Sequence, residues 1–326
     1  MATARGDIRI GISGWRYEPW RGVFYPEGLP QSRELEFASH RLRTIEINGS
    51  FYSLQEPKSY RAWHDDTPDD FVFALKGPRY ITHMLRLKGF EQPLANFFAS
   101  GPFALGRKLG PILWQFPPML AYKPDRFAAF FAALPRDSEA AIALARRHDS
   151  RLEGRNWLEI ERHQPLRHAV EIRHPTFIDA EFVDLLREYG IALVVADTAG
   201  RWPLMEDLTA DFMYVRLHGD EELYASGYSD AVLARWAQRI DVWSRGGQVS
   251  DAHRVSPHDP SRRTRRDVYC YFDNDVKVHA PYDAARLAAR LGLASNPGAE
   301  RPFVLPQALP RVRAKAPSFA GRQRRG

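Results

Sequence analysis

Eight short apolar runs, each ending in a polar or charged residue followed by a turn, constrain this chain more than any other feature. The endings are Ser13, Asn48, Lys76, Gln115, Arg173, Asp197, His218 and Asp273. In a closed parallel barrel the C-terminal ends of all strands open on one rim, so eight such endings converge on one cavity. Strands are expected at 8–12, 44–48, 71–76, 112–115, 169–173, 193–197, 212–218 and 268–273. Between most of them the apolar residues recur at helical spacing, predicting helices over 33–40, 58–64, 93–109, 125–134, 138–148, 179–189, 229–245 and 282–291. Asp179 and Ser229 are suited to N-cap two of these, and Gly190 and Gly246 fit just past two helix ends. The sixth crossover, between Asp197 and Phe212, is too short for a full helix. Alternating strands and helices imply a parallel sheet. The rival, an open doubly wound sheet, usually carries a glycine-rich first turn, and no G-x-G-x-x-G occurs here. The expected fold is therefore α/β, a single (β/α)8 TIM barrel.

The 326 residues suit this fold, since such a barrel needs about 250. One barrel over 1–294 is expected, with a basic insertion near 251–267 and a flexible basic tail over 295–326. Residues 301–326 hold seven basic side chains and no acidic one, so the net charge of +6 comes from the tail and the first 300 residues stand near neutral. The tail is rich in Pro and Ala without apolar periodicity, which predicts disorder. The insertion, with Arg262, Arg263, Arg265 and Arg266 among Ser, Pro, His and Asp, reads as a solvated loop. Both basic segments should leave the barrel at the face opposite the mouth, where the tail offers a weak contact to nucleic acid. No run of eighteen apolar residues occurs, and the first nine residues lack a signal-peptide core, so a cytoplasmic protein without a membrane span is expected. Cys270, the single cysteine, excludes an internal disulfide and reads as a small hydrophobe in the last strand.

Strand alternation selects faces. Ile8, Ile10 and Ile12 share one side, Arg9, Gly11 and Ser13 the other; Glu46 opposes Ile45 and Ile47, Glu171 opposes Val170 and Ile172, and Arg216 opposes Val215 and Leu217. The apolar rows can meet helices, so the polar rows point inward. Polar groups inside a barrel are costly unless they satisfy one another. Glu46, Lys76, Gln115, Glu171, Arg173, Asp197, Arg216 and His218 are therefore expected to form one hydrogen-bonded network at the mouth.

Seven segments carry a family resemblance: GISGWRYEPWRGVFYP at 11–26, TIEINGSFY at 44–52, FALKGPRYITH at 73–83, LGPILWQFPP at 109–118, VEIRHPTF at 170–177, YVRLHG at 214–219 and VYCYFDND at 268–275. In this order the chain resembles the YecE-like family, domain of unknown function 72. The resemblance implies a TIM barrel with a pocket and no established activity. It also implies distant similarity to the endonuclease IV and sugar-isomerase barrels, which is analogy. The arginine-rich insertion and the tail depart from the family pattern.

The residues leave three functions open. In the first, a hydrolase or isomerase-type enzyme acts on an anionic, phosphorylated sugar-like or nucleotide-like substrate. Glu46, Glu171, His218 and Asp197 are its candidates for proton transfer. Lys76, Arg173 and Arg216 would hold the anion, with Ser13, Trp15, Asn48, Gln115 and Asn274 completing the substrate contacts. Trp15, Tyr17, Trp20, Phe51, Tyr52, Trp114 and Phe272 are aromatics expected at the same rim, and the loop over 77–93, with Arg79 and His83, is a candidate lid. Alternatively Glu46 and Glu171 are only clamped by the cations as buried ion pairs. In the second, Glu171, Asp197, His218 and Asp275 hold a divalent metal for phosphodiester cleavage, although the three cations would repel it; no cofactor is otherwise expected. The third is a non-catalytic nucleic-acid or metabolite binder.

Overall fold

The computed structural model describes residues 5–293. Eight parallel strands close into a barrel in sequential order. They are β1 (Ile8–Ser13), β2 (Thr44–Ile47), β3 (Val72–Lys76), β4 (Leu109–Gln115), β5 (His168–Glu171), β6 (Ala192–Asp197), β7 (Phe212–Leu217) and β8 (Asp267–Phe272). Each expected strand is present, and β1 pairs with β8 to close the ring. The outer helices are α1 (Glu34–Ser39), α2 (Gly49–Tyr52), α3 (Pro57–Asp65), α4 (Glu91–Ala99), α5 (Pro124–Ala133), α6 (Ser138–Ala145), α7 (Ala180–Glu188), α8 (Asp230–Ser244) and α9 (His279–Arg290). No helix joins β6 to β7, as the short crossover requires. Asp179 caps α7 by accepting from the Glu181 amide at 2.7 Å, and Ser229 caps α8 by accepting from the Val232 amide at 3.3 Å.

One expected helix breaks. The apolar pattern over 93–109 predicts a continuous helix, but α4 stops at Ala99 and a 3-10 segment follows from Pro102 to Lys108. Gly101 makes the break with φ near 117°, and a Cβ there would lie 2.7 Å from the Pro57 Cα. Glycine is needed both for the left-handed conformation and for the close approach to α3.

The core has the two layers that strand alternation predicts. Outside the ring, Ile8, Ile10, Ile12, Ile45, Ile47 and Val170 pack under the helices. Inside it, Ala74, Leu113, Ala169, Val194, Phe212 and Tyr269 fill the lower barrel. Small residues on some strands and rings on others let the interior close without a pore. Above them lie Tyr214 and Tyr271, and above those the inward polar residues. Trp114 and Phe272 face outward into the helix layer and do not belong to the rim, whereas Trp20 lies at the rim fully buried, beneath Tyr17 and Asp275. Cys270 is buried, as expected.

The insertion is more anchored than a solvated loop. Arg266 is 2% exposed and donates to the backbone carbonyls of Gly246, Ser261 and Ala210. Asp207 accepts from the Val255 and Ser256 amides. These contacts lie near the N-terminal ends of β5 and β7, opposite the mouth, as expected. The tail expected over 295–326 lies outside the described residues. No helix among the described residues is long and apolar enough to cross a membrane.

Candidate active site

Strand register brings the polar residues of the mouth into one layer. Ser13 on β1 is the register partner of Glu46 on β2, Gln115 on β4 of Glu171 on β5, and Arg216 on β7 of Tyr271 on β8. With alternate side chains pointing inward, these residues meet across the barrel axis. Arg216 is at the centre and wholly buried. Its Nη1 donates to Glu171 Oε2 at 2.6 Å, and its Nη2 donates to Glu46 Oε1 at 2.9 Å and to Asp273 Oδ2 at 2.8 Å. Glu46 Oε1 also accepts from the Ser13 hydroxyl at 2.5 Å, and Oε2 from the Tyr214 hydroxyl at 2.6 Å. Glu171 Oε1 accepts from Gln115 Nε2 at 2.9 Å and from Arg173 Nε at 2.8 Å. His218 sets Nδ1 3.0 Å from Asp273 Oδ2, within ion-pair distance but without an aligned hydrogen bond, and Nε2 3.9 Å from Glu171 Oε2. Six of the eight expected members, Glu46, Gln115, Glu171, Arg173, Arg216 and His218, form one buried network, and Lys76 and Asp197 do not join it by side-chain hydrogen bonds.

Burial opposes ionisation of Glu171, but Arg173, Arg216, His218 and Lys76 outweigh it and hold the carboxyl well below its usual range. The same contest, with Arg216 and His218 as the leading opponents of burial, keeps Asp273 ionised. Both side chains are therefore acceptors, and neither holds a proton to give at neutral pH.

A cavity of about 840 Å³ opens above this layer. Lys76, Gln115, Arg173 and Asn48 line it, whereas Glu46, Glu171, Arg216 and His218 do not and form its underlying support. Lys76 sits at the end of β3, 7% exposed, with Nζ 4.5 Å from the centroid of the Phe51 ring. Phe51 is held there because the Ser50 hydroxyl straps α2 to the Lys76 carbonyl at 2.8 Å. Burial first, and then the charge of Arg216, lower the Lys76 pKa. Arg173 sets its Cζ 3.8 Å from the centroid of the Trp202 ring, which helps hold its fork beside Glu171 and the cavity. Trp15 lines an adjoining aromatic recess of about 360 Å³ with Trp63, Tyr17 and Tyr52.

Two lining residues have perturbed titration: Asp275, expected as a metal ligand, and His83, expected in the lid loop, neither of them expected as a proton-transfer group. Asp275 has its pKa raised well above the carboxylate range, first by burial and then by the charge of Asp273, and its Oδ1 is buried without a hydrogen-bond partner. His83 is pushed down to about 4, first by burial and then by the charges of Arg173, Lys76 and Arg79. It is placed by a π-helical turn, Tyr80–Met84, that bends the loop after β3 over the cavity.

Two expected contacts are elsewhere. Asn274 is fully buried and donates to the Ser226 carbonyl and to Asp283, both at 3.0 Å, so it anchors α9 and does not face the cavity. Asp197 accepts from the Tyr228 hydroxyl at 3.3 Å, and burial raises its pKa. It is absent from the cavity lining, and its carboxyl bonds to none of the network residues; only its backbone carbonyl accepts from the His218 amide, at 2.9 Å. The expected ligand set of Glu171, Asp197, His218 and Asp275 is consequently not assembled. Among the described residues, no group of three or more His, Cys, Asp or Glu side chains is arranged to hold a metal.

These features define a (β/α)8 barrel protein with an open, charged cavity at the carboxyl rim of its strands, where barrels of this kind carry their function. The chain belongs to the family described as protein of unknown function DUF72, whose model matches residues 9–304. It is 28% identical over 242 residues to the UPF0759 protein YecE of Escherichia coli O157:H7, covering 72% of this chain and 82% of that protein. It is also 28% identical over 126 residues to the UPF0759 protein YunF of Bacillus subtilis; that match spans 37% of this chain and less than half, 44%, of the relative. A DUF72 family protein from Thermotoga maritima shares the fold with a TM-score of 0.65 and 24% identity, covering 88% of this chain and 99% of that one. One from Enterococcus faecalis does so at 0.61 and 15% identity, covering 89% and 98%.

Proposed function

We propose that the protein is an enzyme acting by proton transfer on a small anionic, sugar-like or nucleotide-like substrate in the rim cavity. One observation carries this reading: three cations, Lys76, Arg79 and Arg173, line the same cavity as a carboxyl whose pKa is raised well above its usual range and an imidazole pushed down to about 4. Groups whose environments push their pKa values in opposite senses are suited to opposite proton-transfer roles. Asp275 is the general acid and His83 the general base. The cations bind the anionic group, and the recess beside Trp15 and Tyr52 takes the ring of the substrate. Glu46, Glu171, Arg216 and His218 are positioning residues that aim Arg173 and Asp273 from below.

The test is calorimetric titration of glucose 6-phosphate and AMP against glucose and adenosine. The phosphorylated member of each pair should bind selectively, and Arg173→Gln should weaken it about ten- to a hundred-fold, the worth of a charge-assisted hydrogen bond. With a turned-over member of such a panel, Asp275→Asn should abolish turnover and retain binding. Equal binding with and without the phosphate, or an indifferent Arg173→Gln, would refute the reading.

A further inference from the structure

Lys76 is unlike the other charged residues of the mouth. Arg216, Arg173, Glu171, Glu46 and Asp273 are each held by at least two partners. The Lys76 ammonium group has no hydrogen bond and no ion pair with any described residue; its one polar contact is the face of Phe51. A lysine that is 93% buried ordinarily finds a carboxylate or carbonyls, as Lys108 does here with the carbonyls of His64 and Thr67 at 2.5 and 2.7 Å. Lys76 is instead aimed into the cavity from a strand end, its backbone carbonyl tied to Ser50. Its approach is rigid and its tip is unengaged. That is the arrangement a nucleophilic amine needs, because a hydrogen-bonded or paired ammonium must first be released.

We propose that Lys76 forms a Schiff base with a carbonyl group of the substrate. The proposal rests on the preceding reading of the cavity and narrows its substrate class to anionic aldehydes and ketones, including the open-chain forms of phosphorylated sugars. The neutral Nζ attacks the carbonyl carbon; the C–N bond forms as the C=O π pair moves to oxygen, giving a carbinolamine after proton transfer from nitrogen to oxygen. The hydroxyl leaves as water with one proton supplied by the Asp275 carboxyl, and the nitrogen lone pair closes the C=N bond as a protonated imine. Hydrolysis runs the same steps backward and returns the proton to Asp275. No oxidant or reductant is required. Lysine desolvated beside another cation has its pKa lowered and its share of free amine enlarged, and burial together with Arg216 supplies that setting while the resting group remains the cation that meets the anion.

The experiment is trapping in the intact wild-type protein. Dihydroxyacetone phosphate, or pyridoxal 5′-phosphate as a second anionic carbonyl probe, is added at pH 7 with sodium borohydride, whose hydride reduces an imine to a stable secondary amine. Peptide mapping by mass spectrometry then locates the adduct. Lys76 should be modified at least about ten-fold faster than Lys58, since a carbonyl compound held by the cavity meets its amine at high effective concentration; Lys58 is 83% exposed at its side chain. Inorganic phosphate should protect Lys76 and not Lys58. Lys76→Arg, checked for folding by circular dichroism, should lose the adduct in the cavity while the slow modification of Lys58 persists unchanged. An adduct spread over exposed lysines, with Lys76 unmodified while phosphate compounds still bind, overturns the Schiff base and leaves the anion site standing. Failure of both trapping and selective phosphate binding overturns the anion site as well.

Discussion

Replacing Arg216 by Met tests whether the buried layer is an ion cluster in fact. Methionine fills much of the space of the arginine stem but leaves Glu46, Glu171 and Asp273, which accept from the guanidinium at 2.9, 2.6 and 2.8 Å, without their common cation. Removing one partner of a buried pair costs about 3–5 kcal/mol, and with three carboxylates affected the upper end applies. That is a large share of the roughly 5–15 kcal/mol by which a domain is stable. The pH dependence is more diagnostic than the size. In the wild type the Glu171 and Asp273 pKa values are depressed, so their stabilisation is present above the unfolded value near about 4 and is lost as pH falls through the folded values. Without Arg216, Asp273 loses the leading charge that opposes its burial, whereas Glu171 keeps Arg173, so both folded values rise and Asp273 is the one expected to pass its unfolded value. For a carboxyl so raised the contribution reverses, being fullest below about pH 4 and lost as pH rises through the raised value. Urea unfolding of both proteins at pH 5 and pH 8 reads this directly: the deficit of Arg216→Met should be larger at pH 8, by about 1.4 kcal/mol per unit that a carboxyl pKa is raised within that window. A loss below about 1 kcal/mol, or a deficit equal at both pH values, would refute the cluster's role.

Two other outcomes follow from the same physics. Lys76→Met should stabilise the protein at pH 7 by about 1 kcal/mol in urea unfolding, because it removes an ammonium whose burial lowers its pKa, while weakening anion binding. His168 is 1% exposed, accepts from Trp114 Nε1 at 3.1 Å and donates from Nε2 to the Pro135 carbonyl at 2.8 Å; burial pushes it down to about 4. The unfolded chain therefore binds a proton that the native one refuses, and about 3 kcal/mol should be lost as pH falls from 6.5 to 4; NMR should show a neutral Nε2–H ring at pH 5.

The closed ring and its polar layer were legible because both follow from local rules. Period-two alternation set Ser13, Glu46, Glu171 and Arg216 on inward faces, and closure made those faces converge. Which polar residues reach the cavity was not legible, because this depends on loop curvature above the strands. Asp197 and Asn274 stand at or just past strand ends like the others, yet Tyr228 and Asp283 draw them aside. His83 takes its place from a π-helical turn, whose spacing no 3.6-residue pattern reveals. Asp275 matters through its neighbour Asp273 and the packing of Trp20, whose Nε1 donates to the Asp275 carbonyl at 3.2 Å. A signal was available for Trp114 and Phe272: if Gln115 and Tyr271 point inward, the residues preceding Gln115 and following Tyr271 must face the helices.

The layer beneath the cavity is not arranged for stability. A buried ion cluster contributes no more than well-packed apolar side chains of the same volume, and here it is also imperfect, since Arg216 Nε is buried without a partner. One orphaned donor of this kind costs about 1–3 kcal/mol. What the cluster achieves is aim. Glu171 takes both Arg173 and Arg216, Asp273 takes Arg216 and His218, and each carboxylate thereby presents the cavity with one fixed neighbour: an arginine fork on one side, and on the other a charge that, after burial, raises the Asp275 pKa. An apolar replacement would preserve the barrel and lose both settings at once, so the stability forgone in this layer is best explained by the chemistry above it.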